Sequence, residues 1–126
     1  EHVTCVESSA AAVSLGKRSA ALNAVSTRMD FHQGDVAEFL KQKEEERATG
    51  QEHDQFDIVI VDPPSVARHA SDVVKGKRYY ESVIFRVAPL VAPGGLMLVS
   101  CCSRPITATD LASCVRRALG WGKRPA

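Results

Sequence analysis

The 126-residue sequence lacks several features that would assign it to a specialised class of protein. It has no apolar run of about 18 residues or more, which a membrane-spanning helix requires, and no signal-peptide pattern is visible. The formal net charge of +1 gives the chain no dominant sign, so any contact with nucleic acid has to come from a local patch. Internal repeats and low-complexity blocks are also absent. The length and these absences favour one globular domain, residues 1–126.

The sequence also lacks the cysteine spacing of a zinc site or a disulfide framework. Its four cysteines are Cys5, Cys101, Cys102 and Cys114. Two of them are adjacent, which disfavours a disulfide between them. We therefore predict no metal site and a reducing compartment, with the cytoplasm as the first choice and an organelle or the nucleolus as alternatives.

What the sequence does contain is a run of β-branched residues at 58–61 that stops at Asp62, Pro63 and Pro64. Apolar residues without alternation are typical of a strand that is buried on both faces of a parallel sheet. Proline cannot donate to a strand ladder, so the strand ends before Pro63. The pattern predicts a carboxylate at the carboxyl end of a central strand, where open α/β sheets bind ligands.

Three further apolar runs predict strands, at residues 3–6, 29–32 and 96–99. Helical spacing follows each strand, and the resulting order β-α-β-α-β-α-β-α predicts a parallel α/β sheet. Within the first helix, Gly16 predicts a close approach of the helix to the sheet. We also predict an irregular polar segment over residues 65–76 and a turn over residues 93–95.

Polar side chains stand at all four predicted strand ends: Glu7, Asp35, Asp62 and the pair Cys101 and Cys102. The carboxyl ends of parallel strands share one edge, which predicts a joint site. Carboxylates there can accept hydrogen bonds from a ribose or an amine, and a thiol can act as a nucleophile. Each acid alone is equally compatible with a helix cap or a surface carboxylate, and the cysteines with small buried residues.

On these residues the sequence resembles the class I S-adenosylmethionine-dependent methyltransferases. More closely, it is similar to the group that methylates cytosine C5 in large-subunit ribosomal RNA. The resemblance extends from about residue 3 to about residue 119 and implies a Rossmann-like methyltransferase fold. The matching segments are residues 6–9, 12–13, 23, 34–36, 39–40, 56–65, 78, 80, 93–95 and 101–103.

The resemblance implies S-adenosylmethionine as the cofactor and assigns residues to it. Glu7, beside Ser8, would bind the ribose hydroxyls. Asp35 would meet the adenine amine, and Val36 would supply a backbone amide and an apolar contact. Asp62, Pro63 and Pro64 would line the pocket where the methyl group meets the target base.

The resemblance also implies an RNA substrate and a cysteine nucleophile. Cys102 would add to C6 of a flipped cytosine and so make C5 nucleophilic, with Asp62 as the second catalytic residue. The substrate-binding residues would be Ser65, Arg78, Tyr80 and Ser103. Two of these assignments have alternatives. Tyr80 also suits a core position. Arg78 belongs to a basic group that suits either RNA phosphates or a solvated loop: Arg68, His69, Lys75, Lys77 and Arg78.

The sequence departs from the family pattern at its ends. The family's first strand and its glycine-rich loop are absent, as are the closing strands and a separate RNA-binding domain. We therefore expect a fold that is truncated at both ends, a partial catalytic domain with two strand pairs and unpaired inner edges. Such edges favour self-association, and we expect the piece alone to bind the cofactor poorly or to self-associate.

Two other functions stay open at this point. The first keeps the fold and methylates an amine of guanine or adenine, with Asp62, Pro63 and Pro64 positioning it and no covalent step. The second, of another class, is a non-catalytic α/β module that only binds a partner, which the absent glycine-rich loop favours. The sequence predicts no general base for removal of the C5 proton.

Overall fold

The computed structural model describes residues 1–50 and 55–120, and residues 51–54 and 121–126 lie outside the description. The chain divides into two compact units, Glu1–His53 and Asp54–Ala126. The first contains β1 (Val3–Glu7), α1 (Ala10–Leu22), β2 (Met29–Gln33) and α2 (Val36–Ala48). The second contains β3 (Phe56–Val61), α3 (Val73–Val87), β4 (Val91–Val99) and α4 (Ala108–Ala118). The predicted alternation of strands and helices is confirmed.

The strands form two parallel pairs within the described residues. One pair joins β1 to β2, from Val3 opposite Met29 to Glu7 opposite Gln33. The other joins β3 to β4 and ends with Val61 opposite Val99. The predicted parallel direction is confirmed. The order within each pair also agrees with the two strand pairs that the resemblance implies.

In the first unit, α1 packs closely on β2 at Gly16. A Cβ atom at this position would lie 2.5 Å from Cε1 of Phe31, a distance that real contacts do not reach. Val13 and Ala20, on the same face of the helix, are buried. The close approach that Gly16 predicts is therefore confirmed, and it offsets the helix-propensity cost of glycine, about 1 kcal/mol.

The core of the second unit lies where α3 and α4 pack on one face of the β3–β4 pair. Tyr80 and Ile84 of α3 and Cys114 of α4 are fully buried in it. Met97 and Val99 of β4 are partly buried against the same cluster. The apolar helical faces that the sequence predicts for α3 and α4 are the faces that form this core.

The prediction that β3 and β4 are buried on both faces is wrong for this chain. Ile58 and Ile60 are 64% and 65% exposed, and their partners Leu96 and Leu98 are 68% and 58% exposed. Successive side chains of a strand point to opposite faces, and the helices of this unit cover only one of them. These four residues form an exposed surface that we call the aliphatic face.

Two local predictions also need correction. The predicted turn at residues 93–95 lies inside β4. Phe56 pairs with Val91 while Ile58 pairs with Leu96, so the residues of β4 between these partners loop out of the ladder.

The predicted irregular segment ends earlier than expected, since α3 begins at Val73. The Asp72 carboxylate accepts hydrogen bonds from the amides of Arg68 and His69 and closes the preceding turn. Lys75, Lys77 and Arg78 are consequently helical.

Candidate functional site

Glu7 is the last residue of β1, and its carboxylate organises the start of α1. Its Oε1 accepts a hydrogen bond from the Ser9 amide at 2.7 Å and one from the Ser8 hydroxyl at 3.4 Å. The Ser9 hydroxyl in turn accepts from the Ala12 amide and caps the helix. Glu7 and Ser8 are both exposed. The geometry therefore presents an acid to solvent at the carboxyl end of the strand.

Asp35 stands at the corresponding end of the neighbouring strand. Its Oδ1 accepts a hydrogen bond from the Ala37 amide at 2.6 Å, so Asp35 is the N-cap of α2. The Gly34 amide donates to the Glu7 carbonyl at 3.0 Å and ties the two strand ends together. Glu7 and Asp35 thus share one edge of the β1–β2 pair, as predicted. Val36, partly buried, opens the helix next to them.

In the second unit, Asp62 and Ser100 follow the paired ends of β3 and β4. The Ser100 amide donates to the Val61 carbonyl at 2.9 Å, and the Ser100 hydroxyl donates to Oδ1 of Asp62. Asp62 is exposed. Sequence reasoning missed Ser100, although its position directly after a strand opposite Asp62 was the available signal.

The two adjacent cysteines occupy different environments. Cys102 is exposed, and its thiol donates to the Pro63 carbonyl with a separation of 3.6 Å. Cys101 is partly buried and packs against the core cluster of the second unit. The structure therefore brings Cys102, Asp62 and Pro63 together at one strand edge and turns Cys101 away from solvent.

Ser103 and Tyr80, both predicted to bind substrate, are buried. Ser103 is 2% exposed, and Tyr80 is fully buried with a hydroxyl that has no hydrogen-bond partner among the described residues. Burial, followed by the nearby Cys101 thiol, raises the pKa of Tyr80. These positions favour the core alternative for Tyr80 and a structural contact for Ser103. Ser65, by contrast, is exposed beside the Asp62 loop.

The basic residues near this edge divide into two groups. Lys77 is committed to an ion pair with Asp110, with 2.6 Å between Nζ and Oδ1. That pair and two hydrogen bonds from Thr107 lower the pKa of Asp110 to about 2. Arg68, Lys75 and Arg78 are exposed. Only the exposed group suits contact with RNA phosphates.

Residues 1–50 and 55–120 contain neither a metal-binding cluster nor a membrane-spanning helix. No cluster of three or more His, Cys, Asp or Glu side chains is arranged to hold a metal ion. No helix of this part is long and apolar enough to cross a membrane.

Proteins with similar sequences are ribosomal RNA methyltransferases. The chain is 29% identical over 111 residues to the ribosomal RNA large subunit methyltransferase I of Citrobacter koseri, a match that covers 87% of this chain and 26% of the relative. The Shewanella denitrificans protein of the same name is 29% identical over 99 residues, 78% of this chain and 23% of the relative. The chain thus spans about a quarter of the relatives' length. No family model matches it.

Two solved structures share the fold. One is a proposed methyltransferase complexed with SAH, with a TM-score of 0.75 and 21% identity over 98% of this chain and 30% of that one. The other is a proposed S-adenosylmethionine-dependent methyltransferase from Streptococcus mutans, with a TM-score of 0.75, 19% identity and similar coverage. The resemblance predicted from the sequence is therefore confirmed at the level of the class: the chain has the fold of the class I S-adenosylmethionine-dependent methyltransferases.

Proposed function

We propose that the chain is part of an S-adenosylmethionine-dependent RNA methyltransferase that methylates C5 of a cytosine in ribosomal RNA. The observation that carries the proposal is the position of Cys102, an exposed thiol held against the loop of Asp62 and Pro63 beyond two parallel strands. The names of the relatives support ribosomal RNA as the substrate. These relatives are bacterial proteins. Their origin supports a cytoplasmic location and gives no support to an organelle or the nucleolus.

The exposed carboxylates of the first unit fit the cofactor. Glu7 and Asp35 end neighbouring strands and can accept hydrogen bonds from hydroxyl and amine groups, which ribose and adenine offer. Ser8 and Val36 flank them, and Pro63 and Pro64 would form the apolar wall beside the reacting methyl group. The solved structure complexed with SAH supports S-adenosylmethionine as the cofactor. The bound cofactor supplies an electrophilic methyl group.

In the proposed reaction the Cys102 sulfur forms a bond to C6 of the cytosine, and the electron pair of the C5–C6 double bond becomes available at C5. C5 would then bond to the methyl carbon as the bond from that carbon to the cofactor's sulfonium sulfur breaks, and S-adenosylhomocysteine would leave. Loss of the C5 proton to a base re-forms the double bond and expels the Cys102 thiolate, and a proton from solvent restores the thiol. Asp62, fixed by Ser100, would hold the base through hydrogen bonds. The exposed side chains of Ser65 and Arg78 would contact the RNA.

The decisive experiment is Cys102→Ala with RNA that carries 5-fluorocytosine, because fluorine at C5 blocks the final proton removal and traps the covalent adduct. We expect the whole methyltransferase that contains this chain to form the adduct and its Cys102→Ala variant to form none, with methylation of ordinary RNA lowered at least about 10³-fold. Cys5→Ala, in a partly buried position on β1, is the matched control and should retain both activities.

The same variant separates the alternatives. Methylation of a guanine or adenine amine needs no thiol, so full activity of Cys102→Ala would replace cytosine C5 with an amine as the target. If the whole protein that contains this chain neither methylated RNA nor bound S-adenosylmethionine, the non-catalytic module would be favoured.

We also propose that the chain associates with further copies of itself. Each strand of the two described pairs has one neighbour, which leaves unpaired edges that favour pairing with another copy. The aliphatic face adds apolar area that water contacts in the monomer.

A further inference from the structure

Ser103 is a buried polar residue that links the loops after β3 and β4. Its side-chain oxygen accepts hydrogen bonds from the amides of Val66 at 2.9 Å and Ala67 at 3.1 Å. The Ser65 hydroxyl lies 3.4 Å from the same atom. With 2% of its surface exposed, Ser103 makes these contacts out of reach of bulk water, where hydrogen bonds are least replaceable.

The need for such a contact follows from the two prolines. Pro63 and Pro64 have no amide proton, so the chain after Asp62 cannot continue the strand ladder. Val66 and Ala67 supply donors just beyond the prolines, and Ser103 is the acceptor for both. The path of the loop after β3 is thus set by a side chain from the loop after β4.

Ser103 is also the direct neighbour of Cys102, whose thiol donates to the Pro63 carbonyl. Ser100 completes the connection at the other end by donating to Asp62. Three side chains of one loop therefore hold successive parts of the other. Among them Ser103 is the one that is buried and accepts two bonds.

We infer that Ser103 is a positioning residue that fixes the Cys102 thiol relative to Asp62. The inference rests on the proposed function for its catalytic consequence, but the geometry it describes can be measured without catalysis. The role revises the prediction that Ser103 binds substrate, because its hydroxyl is buried and already engaged by backbone amides.

The first test is amide hydrogen exchange of Val66 and Ala67. In the native protein both amides should be protected, and in Ser103→Ala both should exchange at least about 10-fold faster while Ile84 in α3 stays protected. Ser103→Thr keeps the oxygen and should restore the protection. Ser113→Ala is the matched control, since it removes an exposed serine hydroxyl that bonds only within α4. Unprotected Val66 and Ala67 amides in the native protein would overturn the inference, even if Ser103→Ala failed to fold.

The second test reads the position of the thiol. The rate of Cys102 alkylation by iodoacetamide should change at least about threefold in Ser103→Ala and return toward the native rate in Ser103→Thr. The kcat of methyl transfer should fall about 10²-fold in Ser103→Ala, the scale expected when a catalytic group is misplaced by about 1 Å. The KM for S-adenosylmethionine should stay unchanged. A general loss of folded protein would instead change all rates together and contradict a positioning role.

The two tests separate this inference from the proposed function. If Cys102→Ala retained methylation, the cysteine mechanism would be wrong, yet amide exchange and alkylation would still decide the role of Ser103. If those two readouts did not respond to Ser103→Ala, the positioning role would be wrong whatever the mechanism.

Discussion

At the scale of single residues, two neighbours in the sequence can have opposite roles because the fold separates their environments. Cys101 packs against the core while Cys102 is exposed beside Pro63. The adjacency of the two thiols therefore says nothing about which one can react. The structure favours Cys102 because only this thiol combines exposure with a place next to Asp62.

The buried hydroxyl of Tyr80 leads to a prediction about the stability effect of a single residue. Its ring is fully buried, but its hydroxyl has no hydrogen-bond partner among the described residues. Tyr80→Phe should therefore leave the free energy of unfolding within about 0.5 kcal/mol of the native value or raise it by up to about 1 kcal/mol, because removing an unsatisfied buried hydroxyl costs little. Urea unfolding measures the change.

Tyr80→Ala is the control for the ring itself and should lose about 3–5 kcal/mol, the range for large-to-small changes in a core. A loss of more than about 1.5 kcal/mol in Tyr80→Phe would show instead that the hydroxyl has a stabilising partner.

At the scale of secondary-structure elements, α3 and α4 are joined by charge as well as by apolar packing. Asp110 closes the capping box at the start of α4 with Thr107, and its Oδ1 also meets Lys77 of α3. One carboxylate thus completes a helix start and an interhelical ion pair. A neighbouring pair, Arg117 with Glu81 at 3.1 Å, links the same two helices.

This arrangement predicts how stability depends on pH. The ion pair with Lys77 and the bonds from Thr107 lower the pKa of Asp110 from 3.8 to about 2. A group whose pKa is lower in the folded state contributes stability above its unfolded pKa and loses it as pH falls through the folded value. The contribution of Asp110 should therefore be complete above about pH 5, decrease as the pH falls through about 4 and 2, and be absent only near pH 1.

Asp110→Asn should accordingly be less stable than the native protein at pH 7, and the difference should be much smaller at pH 2 in thermal unfolding. Lys77→Met keeps the bonds from Thr107 and should retain part of the acid dependence. An equal difference between native protein and Asp110→Asn at both pH values would rule out this linkage.

At the scale of the whole chain, the described residues leave aliphatic side chains exposed and strand edges unpaired. A two-stranded sheet is marginal by itself, and residues 1–50 and 55–120 form two such pairs. The aliphatic face adds four side chains that are more than half exposed. These features are the basis for two predictions about the 126-residue chain in solution.

The first concerns association. Sedimentation velocity should show concentration-dependent association, and the double variant Ile60→Lys and Leu98→Lys should weaken it at least about tenfold, because burying each aliphatic side chain is worth about 1.5–3 kcal/mol. Val74→Lys, which changes an exposed residue on α3, is the control. Association that persists in the double variant would point to the strand edges instead of the aliphatic face.

The second concerns the cofactor. Calorimetry with S-adenosylmethionine should show weak binding to the chain, because the described strands that end at the assigned acids belong to two-stranded sheets, which are marginal by themselves. Micromolar binding by a monomer would contradict the prediction.

The sequence by itself determined the order of the elements, the parallel direction of the strands and the acids at their ends. These features follow from local rules: apolar periodicity, helix caps and the inability of proline to continue a ladder. The assignment of Glu7, Asp35 and Asp62 to strand ends therefore needed no knowledge of the tertiary structure. The sequence also showed that Gly16 allows a close approach, because glycine within a helix needs a compensating contact.

Only the tertiary structure decided which face of β3 and β4 is covered, which cysteine is exposed and what Ser103 contacts. Each depends on residues distant in the sequence: the aliphatic face on where α3 and α4 pack, and Ser103 on amides 36 and 37 positions earlier. A buried hydroxyl is specified by the donors that surround it, and those donors meet it only after both loops are in place.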